Sequence, residues 1–189
     1  MSARPDGLRD RAVLLRGVNV GGRNRLPMAE WRRVLAGQGF QAPQTLIQSG
    51  NAVLGASGGA DDIARTIADG IAEIFGFRPQ MFVLTEAELS AALDHPFDAA
   101  DPARIHATFL SPADADFAAD RAETLRAPRE SLLLRPGHLL LHAPDGIGTS
   151  KLAEALPRLF SGQVTTRNLR TLAALRDLMR SRQGDGASP

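Results

Sequence analysis

Apolar positions along the chain change period several times, and each change marks an element. Ala12 to Val20 is a dense, β-favouring run and predicts a strand. Pro27 then suits a first helical position, with Met28, Trp31, Val34 and Leu35 recurring at helical spacing and Gly39 ending the helix. Thr45 to Gln48 and Asn51 to Leu54 flank Ser49-Gly50, a hairpin turn whose glycine supplies positive φ. Ile63, Ile67, Ile71 and Ile74 mark one face of a second helix, and Gln80 to Thr85 a fourth strand. The order is βαββαβ.

After a linker helix at 86–94 and the proline-bearing stretch His95 to Pro102, the same order returns. Ile105 to Leu110 reads as a strand, and 113–125 as a helix with Phe117 and Leu125 inward. Ser131 to Arg135 and His138 to His142 form a hairpin through Pro136-Gly137. Ser150 to Phe160 is a helix broken or kinked by Pro157, Gln163 to Thr166 the last strand, and Leu169 to Arg180 a closing helix. The expected fold is α+β, a tandem duplication of a ferredoxin-like βαββαβ unit. Repeat 1 spans 12–85, a linker with a short helix 86–103, and repeat 2 with its closing helix 104–180; 1–11 and 181–189 read as flexible tails. A sheet with helices on one face should alternate apolar and polar residues. Val13-Leu14-Leu15, Leu132-Leu133-Leu134 and Leu139-Leu140-Leu141 are apolar on both faces, so the other repeat, the linker helix or a second chain must cover the second face.

Composition narrows the function classes. The chain has 189 residues, 43% hydrophobic and 23% charged, as an ordinary globular protein does. With no cysteine, disulfides, thiol catalysis and thiolate metal sites are excluded. No apolar run approaches the roughly 20 residues of a membrane span, and Met1 to Arg11 has no hydrophobic leader core, so a cytoplasmic protein without a membrane partner is expected. A net charge of +1 gives no bulk attraction to nucleic acid. Its distribution is uneven. Arg16, Arg23, Arg25, Arg32 and Arg33 stand against Glu30, a local +4, and Arg167, Arg170, Arg176, Arg180 and Arg182 against Asp177, another +4. Residues 86–123 hold nine acids and two arginines, a local −7. One electropositive region built from both ends of the chain follows as an expectation.

Candidate chemistry gathers in four polar segments. The chain has 21 arginines and a single lysine, Lys151, and its four asparagines are Asn19, Asn24, Asn51 and Asn168. Lysine is a point charge and arginine a planar fork, so a lone lysine among arginines marks a position with its own requirement. The first segment, with Arg16, Asn19 and Asn24, runs from a strand into a glycine loop suited to an anion. The second holds Ser49 and Asn51 at the hairpin turn. The third, Asp145 to Lys151, ends on Ser150-Lys151 at a helix start and imitates a phosphate loop. Its Ser-Lys order is inverted relative to G-x-x-x-x-G-K-[ST], which excludes nucleotide hydrolysis of that kind. The fourth, with Thr166, Arg167 and Asn168, opens the closing helix. His95, His106, His138 and His142 lack ligand spacing, so no metal is assigned. No nucleophile–base pair is apparent, and no catalytic residue or cofactor is identified. A sheet that stacks single-stranded nucleic acid needs surface aromatics, and the chain has no tyrosine.

Leu-Leu-Arg-Gly-Val-Asn-Val-Gly-Gly at 14–22, Gln-Ser-Gly-Asn at 48–51, Ser-Lys-Leu at 150–152 and Thr-Thr-Arg-Asn at 165–168 resemble the domain-of-unknown-function 1697 family. The resemblance covers about residues 12–180 and implies a tandem ferredoxin-like architecture without an assigned activity, cofactor or catalytic residue. Leu169 departs from the aromatic that the family leads one to expect there. The functional expectation is binding of an anionic small molecule, a phosphorylated metabolite or nucleotide, in a cleft between the repeats. Arg16, Asn19, Lys151 and Arg167 would line it. Alternatives are a structural or interaction module, whose motifs only build turns and the inter-repeat interface, and a nucleic-acid-associated protein using the arginine-rich ends.

Overall fold

A computed structural model describes residues 7–46, 50–97 and 100–184. The fold is α+β. The first sheet contains β1 (Arg9–Arg16), β2 (Gln41–Leu46), β3 (Asn51–Ala56) and β4 (Gln80–Leu84), antiparallel in the order β2-β3-β1-β4. α1 (Met28–Gly37) and α2 (Ala60–Phe75) connect its strands, and α3 (Glu86–Leu93) follows it. The second sheet contains β5 (Ile105–Ser111), β6 (Ser131–Arg135), β7 (His138–His142) and β8 (Gln163–Asn168), antiparallel in the order β6-β7-β5-β8. α4 (Ala119–Leu125) and α5 (Lys151–Leu159) connect it, and α6 (Leu169–Gly184) closes the described chain. Two compact units result, residues 1–89 with 174–189 and residues 90–173, and the dividing lines fall inside α3 and α6.

Strand alternation builds a core on one face of each sheet. In the first unit Val13, Leu15, Ala52, Leu54 and Val83 meet Trp31, Leu35, Ile63, Ile67 and Ile71 of α1 and α2. In the second, Leu110, Leu139, Leu141 and Val164 meet Ala122 of α4 and Leu152, Leu156 and Leu159 of α5. Fully burying a side chain of this size stabilises by about 1.5–3 kcal/mol.

The opposite faces are also buried, at Ala12, Leu14, Val53 and Phe82 in the first unit and Ile105, Ala107, Phe109 and Leu140 in the second. Asp10 shares the face of Ala12 and Leu14, and Arg182 of α6 pairs with it at 3.0 Å. Arg182 also donates to the carbonyls of Gln41 and Ala42, where β2 bulges. In the second unit Arg135 donates to the Asp94 carbonyl at 2.7 Å, and the Phe97 ring lies 5.5 Å from that of His142. Part of the cover that doubly apolar strands require thus comes, within each unit, from α6 and from the segment after α3.

Several boundaries differ from the sequence expectations. β1 begins at Arg9, inside the expected tail, because Asp10 has a buried partner in Arg182. It ends at Arg16 instead of Val20, because Gly17 (φ 71°) and Asn19 (φ 56°) are left-handed and stop the extended run. α4 starts at Ala119 because Phe117 pairs with Phe160 and the Asp116 amide donates to Ser161 Oγ at 2.9 Å. α5 runs unbroken through Pro157. β8 extends to Asn168, where the helix cap begins, and α6 runs to Gly184, four residues past the expected end, carrying Arg182 to its partners.

Candidate functional site

The loop between β1 and α1 is built by its own asparagines. Asn19 accepts from the Leu26 amide at 2.8 Å and donates Nδ2 to the Leu26 carbonyl at 3.0 Å, as a paired strand residue would. Asn24 Nδ2 donates to the Gly17 carbonyl at 3.0 Å, and the Asn19 amide to the Asn24 carbonyl at 3.1 Å. Both asparagines are left-handed, a conformation their short polar side chains tolerate. Arg16 at the loop base donates to Gln80 Oε1 at 3.2 Å, while Arg23 and Arg25 are exposed.

The second segment abuts the first. The Leu15 amide donates to the Gly50 carbonyl at 2.8 Å. Gly50 is left-handed (φ 74°), and a Cβ there would sit 2.6 Å from Val18 Cγ2 and 2.8 Å from Leu15 Cβ. Only glycine fits this corner. Asn51 is fully buried beside it, its Nδ2 donating to the Leu46 carbonyl at 3.5 Å. Ser49 lies outside the described residues. Arg16, Asn19, Asn24 and Asn51 therefore share one end of the first sheet.

In the second unit, Ser150 and Asn168 are helix caps. Ser150 Oγ accepts from the Ala153 amide at 3.0 Å, and Asn168 Oδ1 from the Thr171 amide at 2.9 Å. Thr166 Oγ1 bonds Thr108 Oγ1 at 2.8 Å on the helix-bearing face. Arg167 points to the opposite face, folded back along the strand with Nη1 donating to Thr165 Oγ1 at 3.1 Å and to the Thr166 carbonyl at 2.8 Å. Burial pulls its pKa down to about 10, which still leaves it charged at neutral pH. Lys151 is exposed at the start of α5, on the helix-bearing side. The second sheet thus separates Lys151 from Arg167, and the two do not line one pocket as the sequence led us to expect.

The basic C-terminal segment is largely resolved into ion pairs, whereas of the five arginines at 16–33 only Arg33 makes an ion pair among the described residues. Arg170 meets Asp101 at 3.3 Å, Arg180 meets Glu86 at 2.7 Å, and Arg135 meets Asp94 at 3.4 Å. The Ala103 amide and then Arg170 hold the Asp101 carboxyl below the usual carboxylate range. With Arg182 on Asp10, the basic C-terminal segment is answered mainly by acids from elsewhere in the chain, so it is not an open electropositive patch. His106 and His138 are buried, with His106 Nδ1 and His138 Nε2 lacking a hydrogen-bond partner among the described residues. Burial lowers both pKa values; the Arg135 charge adds to it at His138, while at His106 a hydrogen bond to the Arg104 backbone opposes it in part.

In the second unit, three cations outside these ion pairs share one groove. Arg121 and Leu125 of α4 and Lys151, Glu154, Ala155, Arg158 and Leu159 of α5 line a groove of about 370 Å³. The side chains of Arg121, Lys151 and Arg158 make no ion pair or hydrogen bond among the described residues. Sequence reading singled out Lys151 and missed Arg121 and Arg158. The helical stripe 151, 154, 155, 158 was visible, but its facing partner on α4 was not.

No helix among the described residues is long and apolar enough to cross a membrane, and no group of three or more His, Asp or Glu there could hold a metal ion. No curated protein matches the chain. The solved structure of a conserved bacterial protein from Streptococcus pneumoniae is similar to it, with 22% identity and a TM-score of 0.71 over 91% of this chain and 99% of that one. At that identity the likeness speaks for the fold alone. The family described as protein of unknown function, DUF1697, matches residues 8–139, through the whole first sheet and into the second, and the chain belongs to that family.

Proposed function

We propose that the chain is a duplicated ferredoxin-like protein whose second repeat binds an anionic small molecule in the α4–α5 groove. The duplication is supported by the matching strand orders, β2-β3-β1-β4 and β6-β7-β5-β8, each with two connecting helices. The binding reading rests on one observation: Arg121, Lys151 and Arg158 share a groove without acid partners among the described residues, in a chain that pairs many of its guanidiniums. Two guanidinium forks and an ammonium suit phosphate oxygens, and the groove volume is that of a small-metabolite site. A phosphorylated metabolite or nucleotide is the ligand class.

The family motifs support a second, architectural reading of their own residues. Asn19 and Asn24 close a loop, and Ser150 and Asn168 cap helices. On this account Asn19, Asn24, Ser150 and Asn168 maintain the fold, while Lys151, the motif residue that lines the groove, binds together with Arg121 and Arg158.

Calorimetric titration with inorganic phosphate tests the proposal. Saturable binding is expected, weakened about tenfold or more, roughly 1.4 kcal/mol, in Arg121→Gln/Arg158→Gln. Absence of binding at millimolar phosphate, or binding indifferent to both substitutions, contradicts it. A steep loss of affinity for a polynucleotide with rising salt would favour the nucleic-acid alternative instead.

A further inference from the structure

The groove has two unlike ends. The Ala118 amide donates to the Leu159 carbonyl at 2.9 Å, so the start of α4 lies beside the end of α5 and the helices run antiparallel. Arg121, one turn into α4, is then level with Ala155 and Arg158, while Leu125, one turn further, is level with Lys151. Two guanidiniums occupy one end and a single ammonium the other. Lys151 and Arg158 are seven residues apart, about 10 Å along the helix axis. Between them lie the apolar Ala155 and Leu125, with the Glu154 carboxylate on the rim. Neither Lys151 nor Arg158 pairs with Glu154 among the described residues, although i,i+3 and i,i+4 neighbours can meet.

Building on the anion-binding reading, we infer that the natural ligand carries two phosphoryl groups at opposite ends of a hydroxylated carbon chain, as an α,ω-bisphosphorylated polyol does. The guanidinium pair takes one phosphate by parallel N–H···O bonds, and the ammonium takes the second as a point charge. A phosphate seated on the guanidinium pair leaves the Lys151 ammonium for a second anionic group. Glu154 repels phosphate, so its place at mid-groove suits donors, and the hydroxyls of the connecting chain provide them. The carbon backbone of the same chain lies over Ala155 and Leu125.

The probes are a hexose 1,6-bisphosphate, the matching 6-monophosphate and inorganic phosphate, titrated calorimetrically against the full chain. The bisphosphate is expected to bind at least tenfold more tightly than the monophosphate. Lys151→Gln should reduce bisphosphate affinity to the monophosphate level and leave the monophosphate unchanged. Arg121→Gln should weaken both by similar factors. Glu154→Ala should weaken the bisphosphate while strengthening inorganic phosphate. All three side chains are exposed, and unchanged circular dichroism of each variant is the control for folding. If phosphate and monophosphate bind but the bisphosphate binds no tighter, or its advantage survives Lys151→Gln, the two-ended ligand is overturned and anion binding stands. If none of the three binds, both fall.

Discussion

The two helix pairs of this chain occupy the same place in the element order and have opposite charge economies. The α1–α2 groove, about 460 Å³, is rimmed by Glu30, Arg33, Asp69 and Glu73. Its charges are mostly answered: Arg33 meets Glu30 at 2.6 Å, and Asp69 meets Arg78. Gln38 also bridges the helices by donating to the Thr66 carbonyl, and it packs against Gly70. The α4–α5 groove has three cations, one acid and no pairing among the described residues. A charge answered inside the fold serves the fold, whereas an exposed like-charged set adds self-repulsion and gains only when a counter-charge arrives. The difference is what supports the proposal of binding in the second unit.

The largest test of that division is Arg182→Ala. The Arg182 side chain is 10% exposed and Asp10 is 0% exposed, so the substitution removes a guanidinium from a buried carboxylate and from two carbonyls. A loss of about 3–5 kcal/mol in urea unfolding is expected. Arg158→Ala, on an exposed cation, should stay within about 0.5 kcal/mol. Equal losses would erase the distinction between answered and unanswered charge.

Acid should weaken the second unit selectively, because both histidines with shifted pKa values, His106 and His138, belong to it. His106 and His138 have lowered pKa values when folded. Below the ordinary value of 6.5 the unfolded chain therefore binds more protons than the folded one. Their contribution is complete above pH 6.5 and is lost as pH falls through the folded values. The urea midpoint is expected to be flat from pH 8 to 7 and to drop by pH 5.5. His106→Phe/His138→Phe should flatten the drop, and an unchanged drop in that variant would refute the assignment.

Ser150→Ala removes the oxygen that accepts the Ala153 amide and should cost about 1 kcal/mol. Ala155→Glu, at a half-buried position packed against the second core, should cost about 1 kcal/mol or less. That substitution adds a second acid beside the groove cations, so phosphate binding should vanish while unfolding moves far less than in Arg182→Ala. Retained binding would mean that the site lies elsewhere.

Much of this arrangement was legible in the sequence wherever the signal is local. Helical spacing of Ile63, Ile67 and Ile71, the left-handed glycine at position 50 and the glycine of the 136–137 turn depend on neighbours a few residues away, and the strand sequence followed. What escaped depended on distant partners. Asp10 and Arg182 are 172 residues apart, and their pairing joins residues 9–11 and 181–184, the inner ends of the two expected tails, to strand and helix. The basic C-terminal run gave no hint that Asp101, Glu86 and Asp10 would answer it. Lys151 stood out by rarity, yet its partners Arg121 and Arg158 are ordinary arginines in an arginine-rich chain, and only the α4–α5 packing joins them. Asn19, Asn24 and Asn168 attracted attention for the donors and acceptors that the structure spends on closing a loop and capping a helix.

The most direct measurement is a residue-resolved NMR titration of the full chain with inorganic phosphate. The account predicts saturable shifts at Arg121, Ala155 and Arg158, with the α1–α2 groove silent and the response absent in Ala155→Glu. Shifts that are missing at α4 and α5, or that appear equally at Arg33 and Asp69, would contradict it.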